Sequence, residues 1–168
     1  KANSFPNTLN TLMGIESNYL LRIGDATIPN NQLQVATSVN NCTSADLQLE
    51  SGKWYHVAVA FNKGNVKVYI NGVEKLSGST GKSSVSLGAK HTNEEDGSRC
   101  FWVGYSYKDD RYFDGVVSEV RIWNRALTAE EIQATNHFYT IEPESEGLIA
   151  YWKFDEGSGT VAKDYSVS

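Results

Sequence analysis

The sequence predicts an all-β protein built as a two-sheet antiparallel sandwich, and three observations lead to that prediction. First, apolar and polar residues alternate with a period of two in short runs, which is typical of half-buried strands. Second, loops rich in Gly, Asn, Ser and Asp separate nine such runs along the chain. Third, a single short stretch has helical features, and one short helix cannot cover a sheet face.

The clearest strand signal lies in the middle of the chain, in WYHVAVAF (Trp54–Phe61). Alternation places Tyr55, Val57, Val59 and Phe61 on one face of that strand. NVKVYING follows after the glycine-containing loop Asn62–Gly64, which predicts a hairpin. The next dipeptide, Asn71-Gly72, supplies the positive φ angles of a primed turn.

Seven further segments have the composition of strands. In chain order they are Tyr19–Gly24, Gln32–Thr37, Asp46–Leu49, Ser84–Gly88, Cys100–Ser106, Val116–Trp123 and Leu148–Phe154. One helix is predicted near residues 128–135, because Thr128 and Glu131 have the spacing of a capping box. Residues 139–146 contain Pro143 and three glutamates, so they are interpreted as a linker before the closing segment 147–168.

Length and charge limit the classes of function. A chain of 168 residues is most simply one domain, here residues 1–168. The net charge of −5 and the lack of a basic cluster argue against a nucleic-acid partner. No apolar run approaches the ~20 residues of a membrane span, so no membrane insertion is predicted. Cys42 and Cys100 leave two alternatives open, one disulfide or two partly buried free thiols.

Enzyme signatures are weak. The three histidines lack HExxH spacing, and no GxSxG sequence occurs. Hydrolysis of a glycosidic bond needs two carboxylates about 5–9.5 Å apart, but the predicted strands carry at most one central acid, Glu119. The sequence therefore predicts a protein without catalytic residues.

One segment, FWVGYSYKDDRYFDG (Phe101–Gly115), has the composition of a binding site. Aromatic faces beside carboxylates and a guanidinium suit a sugar, whose ring stacks while charged groups bind its hydroxyls. Within the segment, Trp102 and Phe113 are interpreted as core residues. The candidate ligand-binding residues are Tyr105, Tyr107, Asp109, Asp110, Arg111 and Tyr112.

The segments GKWYHVAVAF, VKVYINGV and FDGVVSEVRIWNRALTAEEI resemble the laminin-G-like domains of the concanavalin A-like lectin/glucanase superfamily, most closely the bacterial variety. The resemblance extends over Gly14–Ile132 and Gly147–Tyr165. It implies a jelly-roll sandwich and a non-catalytic module that binds a glycan or a surface protein. It further implies an exported or cell-surface bacterial parent protein with neighbouring domains, located outside the cell or in the periplasm.

The resemblance leaves two other functions open, a structural or protein-interaction domain packed on a neighbour and a glycoside hydrolase. The hydrolase is disfavoured because no segment has the ExDxxE pattern of the glucanase branch. Ser118 stands where the family usually has an acid. By analogy with the family, Ca²⁺ binding is expected at acids next to turns, namely Asp114, Asp155 and Asp164.

The closing segment 147–168 resembles the opening strand of typical family members, yet it comes last in this chain. Terminal strands of a sandwich lie close together at the surface, so a strand can move from one end of the chain to the other. We therefore expect either a permuted domain or a domain cut from a larger chain that lost its first strand.

Overall fold

The computed structural model describes residues 1–16, 18–85, 100–106, 109–134 and 139–167. Within them the strands are β1 (Asn10–Ile15), β2 (Tyr19–Asp25), β3 (Ile28–Thr37), β4 (Asn41–Gln48), β5 (Val57–Asn62), β6 (Asn65–Ile70), β7 (Val73–Ser79), β8 (Trp102–Val103), β9 (Val120–Trp123) and β10 (Leu148–Trp152). Helix α1 spans Ala129–Gln133, and a 3₁₀ turn spans Asp109–Arg111. No helix in the described ranges has the length and hydrophobicity that a membrane span requires.

The strands form three antiparallel groups. One sheet has five strands in the order β4-β3-β2-β1-β8, a second has the order β5-β6-β7, and β9 pairs with β10. The main core lies between the first two sheets, so the predicted antiparallel all-β sandwich is confirmed. The most deeply buried core side chains are Ile23, Leu33, Val35, Leu47, Val66 and Val68.

The two hairpins of the three-stranded sheet have the turns that the sequence predicts. Lys63 and Gly64 join β5 to β6 with φ angles of 48° and 89°, and Asn71 and Gly72 join β6 to β7 with φ angles of 50° and 77°. Positive φ at both central residues matches the right-handed twist of the flanking strands. Tyr55, Val57, Val59 and Phe61 all pack against the core, which confirms the predicted face of β5.

Other predicted strands are confirmed with altered bounds. Cys100–Ser106 contributes only β8, and Val116–Trp123 contributes only β9. Glu119, directly before β9, has a φ of 58°, a conformation that interrupts a strand. Strands β1 and β7 were not predicted. In Ser84–Gly88, Ser84 and Val85 are not in a strand, and the rest lies outside the described residues.

Helix α1 begins as the capping box predicts. The Thr128 side chain accepts a hydrogen bond from the Glu131 N–H at 3.2 Å, and Glu131 Oε2 accepts from the Thr128 N–H at 2.7 Å. The Glu131 carboxylate also binds the Arg125 guanidinium, at 2.7 Å from Nη2 to Oε1. Ile132 is 1% exposed, so burial of its apolar side chain anchors this short helix to the sandwich.

The closing strand β10 pairs with β9 in antiparallel fashion, with Tyr151 opposite Arg121 and Trp152 opposite Val120. Tyr151 is fully buried in a small second cluster with Ile141 and Leu148. Beyond the strand, the Asp164 carboxylate accepts backbone N–H bonds from Tyr151 and Ser166 at 3.0 and 2.9 Å. The segment is therefore held in place by pairing and capping. Its origin by permutation, and the extent of the domain, stay predictions.

The two cysteines are both free thiols, Cys42 buried and Cys100 half-buried, so the disulfide alternative is wrong for this structure. Cys42 lies in β4, and Cys100 lies two residues before β8. These strands are the opposite edges of the five-stranded sheet, four strand spacings apart. At ~4.8 Å per spacing that separation is about 19 Å. A disulfide requires Cα atoms within about 7 Å of each other.

Candidate functional site

The five-stranded sheet presents its outer face, the one turned away from the core, as two rows of directly opposed side chains. Opposed residues of antiparallel strands point to the same face. The first row crosses all five strands as Trp102, Gly14, Leu20, Ala36 and Asn41. The second row crosses four strands as Thr11, Arg22, Gln34 and Thr43. An aromatic and small-residue row thus lies beside a row of hydrogen-bonding groups.

The polar row is held in place by hydrogen bonds along the sheet. Arg22 Nε donates to Gln34 Oε1 at 2.8 Å, and its Nη2 forms an ion pair with Asp25. Gln32, two residues from Gln34 and on the same face, donates from Nε2 to Thr43 Oγ1 at 2.9 Å. Gln34 is 2% exposed and Gln32 is 7% exposed, so the two amides are largely closed to solvent and hold the row together from within.

The first row leaves open space beside this network. Leu20 and Ala36 of this row line a shallow depression of about 190 Å³. Trp102 stands at one end of the row, and its ring packs edge-on against Tyr105 with ring centroids 5.3 Å apart. The depression is lined by Glu16, Leu20, Arg22, Ala36, Thr37, Ser38 and Asn41.

A long-range ion pair brings the predicted binding loop to this face. Arg111 Nη1 donates to Glu16 Oε2 at 2.7 Å, and both side chains are 17% exposed. Glu16 follows β1 and lines the depression, so the 3₁₀ turn Asp109–Arg111 lies next to it. The carboxylate and the guanidinium neutralise each other while keeping polar edges near the depression.

The other predicted ligand-binding residues are distributed around this loop. Asp110 is 81% exposed in its side chain, and Tyr112 is 42% exposed. Asp109 begins the 3₁₀ turn, but its side chain and the whole of Tyr107 lie outside the described residues. Ligand contacts by the six predicted residues stay predictions.

The two residues of this segment that were assigned to the core differ in outcome. Phe113 packs against the main core, as predicted. Trp102 opposes Gly14 on the outer face, so its assignment to the core is wrong. Strand β8 is only two residues long. Alternation over so short a strand gives the sequence no sign of which residue points inward.

The acids predicted to bind Ca²⁺ lie in separate places. The Asp114 carboxylate accepts hydrogen bonds from Asn3 Nδ2 at 3.2 Å and from Ser4 Oγ. Asp164 caps the strand β10, as described above, and Asp155 is exposed. Within the described ranges no three His, Cys, Asp or Glu side chains lie close enough to share a metal ion. Calcium binding at any single one of these acids stays a prediction.

Several residues of the outer face were missed by the sequence analysis, among them Glu16, Arg22 and Gln34. For Arg22 and Gln34 the signal was present in the alternation, because Arg22 stands between Leu21 and Ile23 and Gln34 stands between Leu33 and Val35. That pattern fits any solvated strand face, so it does not mark a site by itself. Only the register of the strands shows that these residues are neighbours.

Comparison with solved structures gives two informative similarities. The chain is 30% identical, with a TM-score of 0.79, to a Bacteroides ovatus ATCC 8483 protein described as a "putative carbohydrate binding protein", and the match covers 98% of this chain. It is 26% identical, with a TM-score of 0.54, to domain 4 of AbnA, a GH43 extracellular arabinanase from Geobacillus stearothermophilus solved in complex with arabinotriose. That second match covers 79% of this chain.

Sequence comparison adds a partial relative and a family. Over 85 residues, 47% of this chain, it is 34% identical to Adhesion G-protein coupled receptor D1 of Homo sapiens. The chain spans 8% of that receptor, and 46% and 61% of the two solved chains. The Laminin G 3 family model, described as the Concanavalin A-like lectin/glucanases superfamily, matches residues 1–133. The chain therefore belongs to the laminin-G-like branch of the concanavalin A-like lectin/glucanase superfamily.

Proposed function

We propose that this chain is a non-catalytic carbohydrate-binding or adhesion module of an exported or cell-surface multidomain protein. The observation that carries the proposal is the outer face, where Trp102 stands in the same row as a depression lined by the polar side chains of Glu16, Arg22 and Asn41. An aromatic ring stacks on the C–H face of a sugar, and planar polar groups bind its hydroxyls. The two similar structures described as carbohydrate-binding or arabinotriose-bound support the same substrate class.

The charges on this face favour binding over hydrolysis. Its carboxylates include Glu16 and Asp25, and each forms an ion pair with an arginine. A glycosidase needs a pair of carboxyl groups that face the scissile bond across a cleft, whereas each of these two is engaged by a guanidinium. We therefore place this chain among binding modules. Release of reducing ends from a polysaccharide by the purified chain would contradict that assignment.

Calorimetric titration with arabino-, xylo-, cello- and galacto-oligosaccharides tests the proposed site. An aromatic stacking contact contributes about 1.4 kcal/mol to binding, and that free energy corresponds to a tenfold change in affinity. We therefore expect Trp102→Ala to weaken binding at least about tenfold. Asn41→Ala, at the other end of the same row, should weaken binding less. Trp54→Ala is the matched control, because Trp54 is 57% exposed and precedes β5, which belongs to the other sheet.

The results of these titrations distinguish an error in the location of the site from an error in the proposed function. Unchanged affinity of a folded Trp102→Ala variant would show that the glycan binds elsewhere than on this face. Tyr112→Ala then tests whether the loop binds it. No measurable binding to any of these glycans would contradict carbohydrate binding itself. Circular dichroism of each variant shows whether it retains the fold.

A further inference from the structure

A large cleft, here called the β5–β9 cleft, separates strand β5 from strand β9. Its volume is about 1370 Å³, whereas small-molecule sites have about 300–1,000 Å³. All of Val57–Asn62 and all of Val120–Trp123 line it. Successive residues of a strand point to opposite faces. A cleft lined by every residue of two strands therefore runs along their edges rather than over one face.

Both strands are end strands at this cleft. In the part of the chain that the structure describes, β5 ends the sheet β5-β6-β7, and β9 pairs only with β10. The edge of such a strand carries backbone N–H and C=O groups that can pair with a further strand. The core side of the cleft is apolar, and Val57, Val59 and Phe61 stay only half-buried although they pack against the core. Among the residues that the structure describes, none covers the core along this line.

The amino terminus lies at one end of the cleft. Ala2 forms an antiparallel bridge with Gly115, and Lys1 and Ala2 are both among the lining residues. The Lys1 amine donates to the Val116 carbonyl at 2.8 Å, and the Val116 N–H donates to the Lys1 carbonyl at 2.8 Å. Lys1 and Ala2 thus already pair with the segment that leads into β9.

The direction of this pairing identifies what would enter the cleft. In an antiparallel pair, each step backward along one strand is a step forward along the other. Polypeptide joined to the amine of Lys1 would therefore continue beside residues 117 and 118 and, beyond the irregular position Glu119, beside β9. It would run beside β9 and face β5 with its other edge.

We propose that the β5–β9 cleft binds one more β-strand, formed by polypeptide joined to the domain at Lys1 and running antiparallel to β9. Pairing on both edges makes one continuous sheet from β7 to β10. Alternate side chains of the added strand then cover Val57, Val59 and Phe61, so they should be apolar. This is strand addition of the kind that binds extended peptides at sheet edges. The proposal does not depend on carbohydrate binding by the outer face.

The test compares the 168-residue chain with forms extended before Lys1. Two of the extensions are eight-residue strands of alternating Thr and Val, one beginning with Thr and the other with Val. Both phases are needed because a one-residue shift turns every side chain to the other face. The matched control is an eight-residue Gly-Ser extension. Hydrogen exchange of the Val57–Asn62 amides reports pairing at the edge of β5. We expect one Thr-Val phase to slow that exchange at least tenfold and to raise the Tm, and the Gly-Ser form to match the unextended chain.

Three results would overturn the proposal and a fourth would support it. Equal exchange in the unextended, Gly-Ser and both Thr-Val forms would show that no strand enters the cleft. Full protection of β5 in the unextended monomer would show that the 168-residue chain itself already closes the edge of β5. Protection that rises with protein concentration would show that a second copy fills the cleft. If the unextended chain lacks near-ultraviolet circular dichroism and one Thr-Val form gains it, the added strand completes the fold and the proposal is supported.

Discussion

Arg111 and Glu16 are 95 positions apart in sequence, yet Nη1 of the arginine donates to Oε2 of the glutamate at 2.7 Å. The pair connects the 3₁₀ turn after β8 to the end of β1, the strand next to β8 in the sheet. Arg111 was predicted to bind a ligand, and its geometry adds a structural role to that prediction. The loop is held beside the outer face by an interaction that is largely shielded from water.

We expect Arg111→Ala to lower the free energy of unfolding by about 1–3 kcal/mol, the range for loss of a charged hydrogen bond. The substitution leaves the Glu16 carboxylate, 17% exposed, without its guanidinium partner. Urea denaturation measures the effect. Asp110→Ala is the control, because its side chain is 81% exposed, and it should change stability by less than about 0.5 kcal/mol. Equal effects of the two substitutions would contradict a structural role for the Arg111–Glu16 pair.

Gly64 and Gly52 both have positive φ, 89° and 77°, but their surroundings differ. A Cβ on Gly64 would lie 2.7 Å from the Lys82 carbonyl oxygen, whereas a Cβ on Gly52 would meet nothing within 4 Å. We expect Gly52→Ala to lower the free energy of unfolding by about 1–2 kcal/mol, because alanine is strained in the left-handed backbone conformation. Gly64→Ala should cost clearly more in the same denaturation experiment, because the backbone of residue 82 must also move.

A smaller loss for Gly64→Ala than for Gly52→Ala would contradict close packing between the β5–β6 turn and the segment after β7. That packing also includes the Thr80 N–H, which donates to the Gly64 carbonyl at 2.9 Å. Thr80 is fully buried, so the contact is part of the interior rather than of the surface.

Local sequence patterns predict those elements whose chemistry is local. The β5–β6 hairpin follows from alternation and from Asn71-Gly72, and helix α1 follows from Thr128 and Glu131. Strand β1 escaped prediction because NTLMGI contains a glycine with a φ of 128° and a bulge beside Leu12, which disturb its alternation. Its place in the sheet comes from pairing with β2 and β8 instead.

The candidate site is less predictable for the same reason. The cluster around Tyr105 to Tyr112 is contiguous in sequence and was identified, whereas the outer face combines residues of five strands. Gly14, Leu20 and Ala36 have no binding chemistry of their own. They matter only because the register places them between Trp102 and Asn41. No local pattern contains that register.

Asp164 should make stability depend on acid pH. Burial alone would raise the pKa of its carboxyl group, but hydrogen bonds from the Ser166 and Tyr151 N–H groups outweigh burial and lower the pKa below the ordinary 3.8. A lowered folded-state pKa stabilises the fold above the unfolded-state pKa, and this contribution is lost as pH falls through the folded-state pKa.

The expected result is a stability difference between the parent chain and Asp164→Asn that is constant from pH 7 to 5 and shrinks below about pH 4. Denaturation at a series of pH values measures it. Asp155→Asn is the matched control, because Asp155 is an exposed acid in the same closing segment. A difference for Asp164→Asn that does not vary with pH would contradict the proposed role of the ionised carboxylate.

The two thiols should differ strongly in reactivity. Cys42 is 6% exposed in the core, so the reagent has little access to it. Burial also raises the pKa of its thiol, which lowers the fraction present as the reactive thiolate. Cys100 is half-buried. We expect a disulfide-forming dye to label Cys100 at least about tenfold faster than Cys42 in the native chain. Cys42→Ser and Cys100→Ser each assign one phase of the reaction.

In denaturant without reductant, two thiols per chain should react, because the cysteines lie at opposite edges of the five-stranded sheet. The absence of reactive thiols until a reductant is added would show a disulfide and would require β4 and β8 to approach each other. Such a result would contradict the strand order β4-β3-β2-β1-β8 on which the outer face depends. Thiol counting therefore tests the arrangement of the candidate site as well as the state of the cysteines.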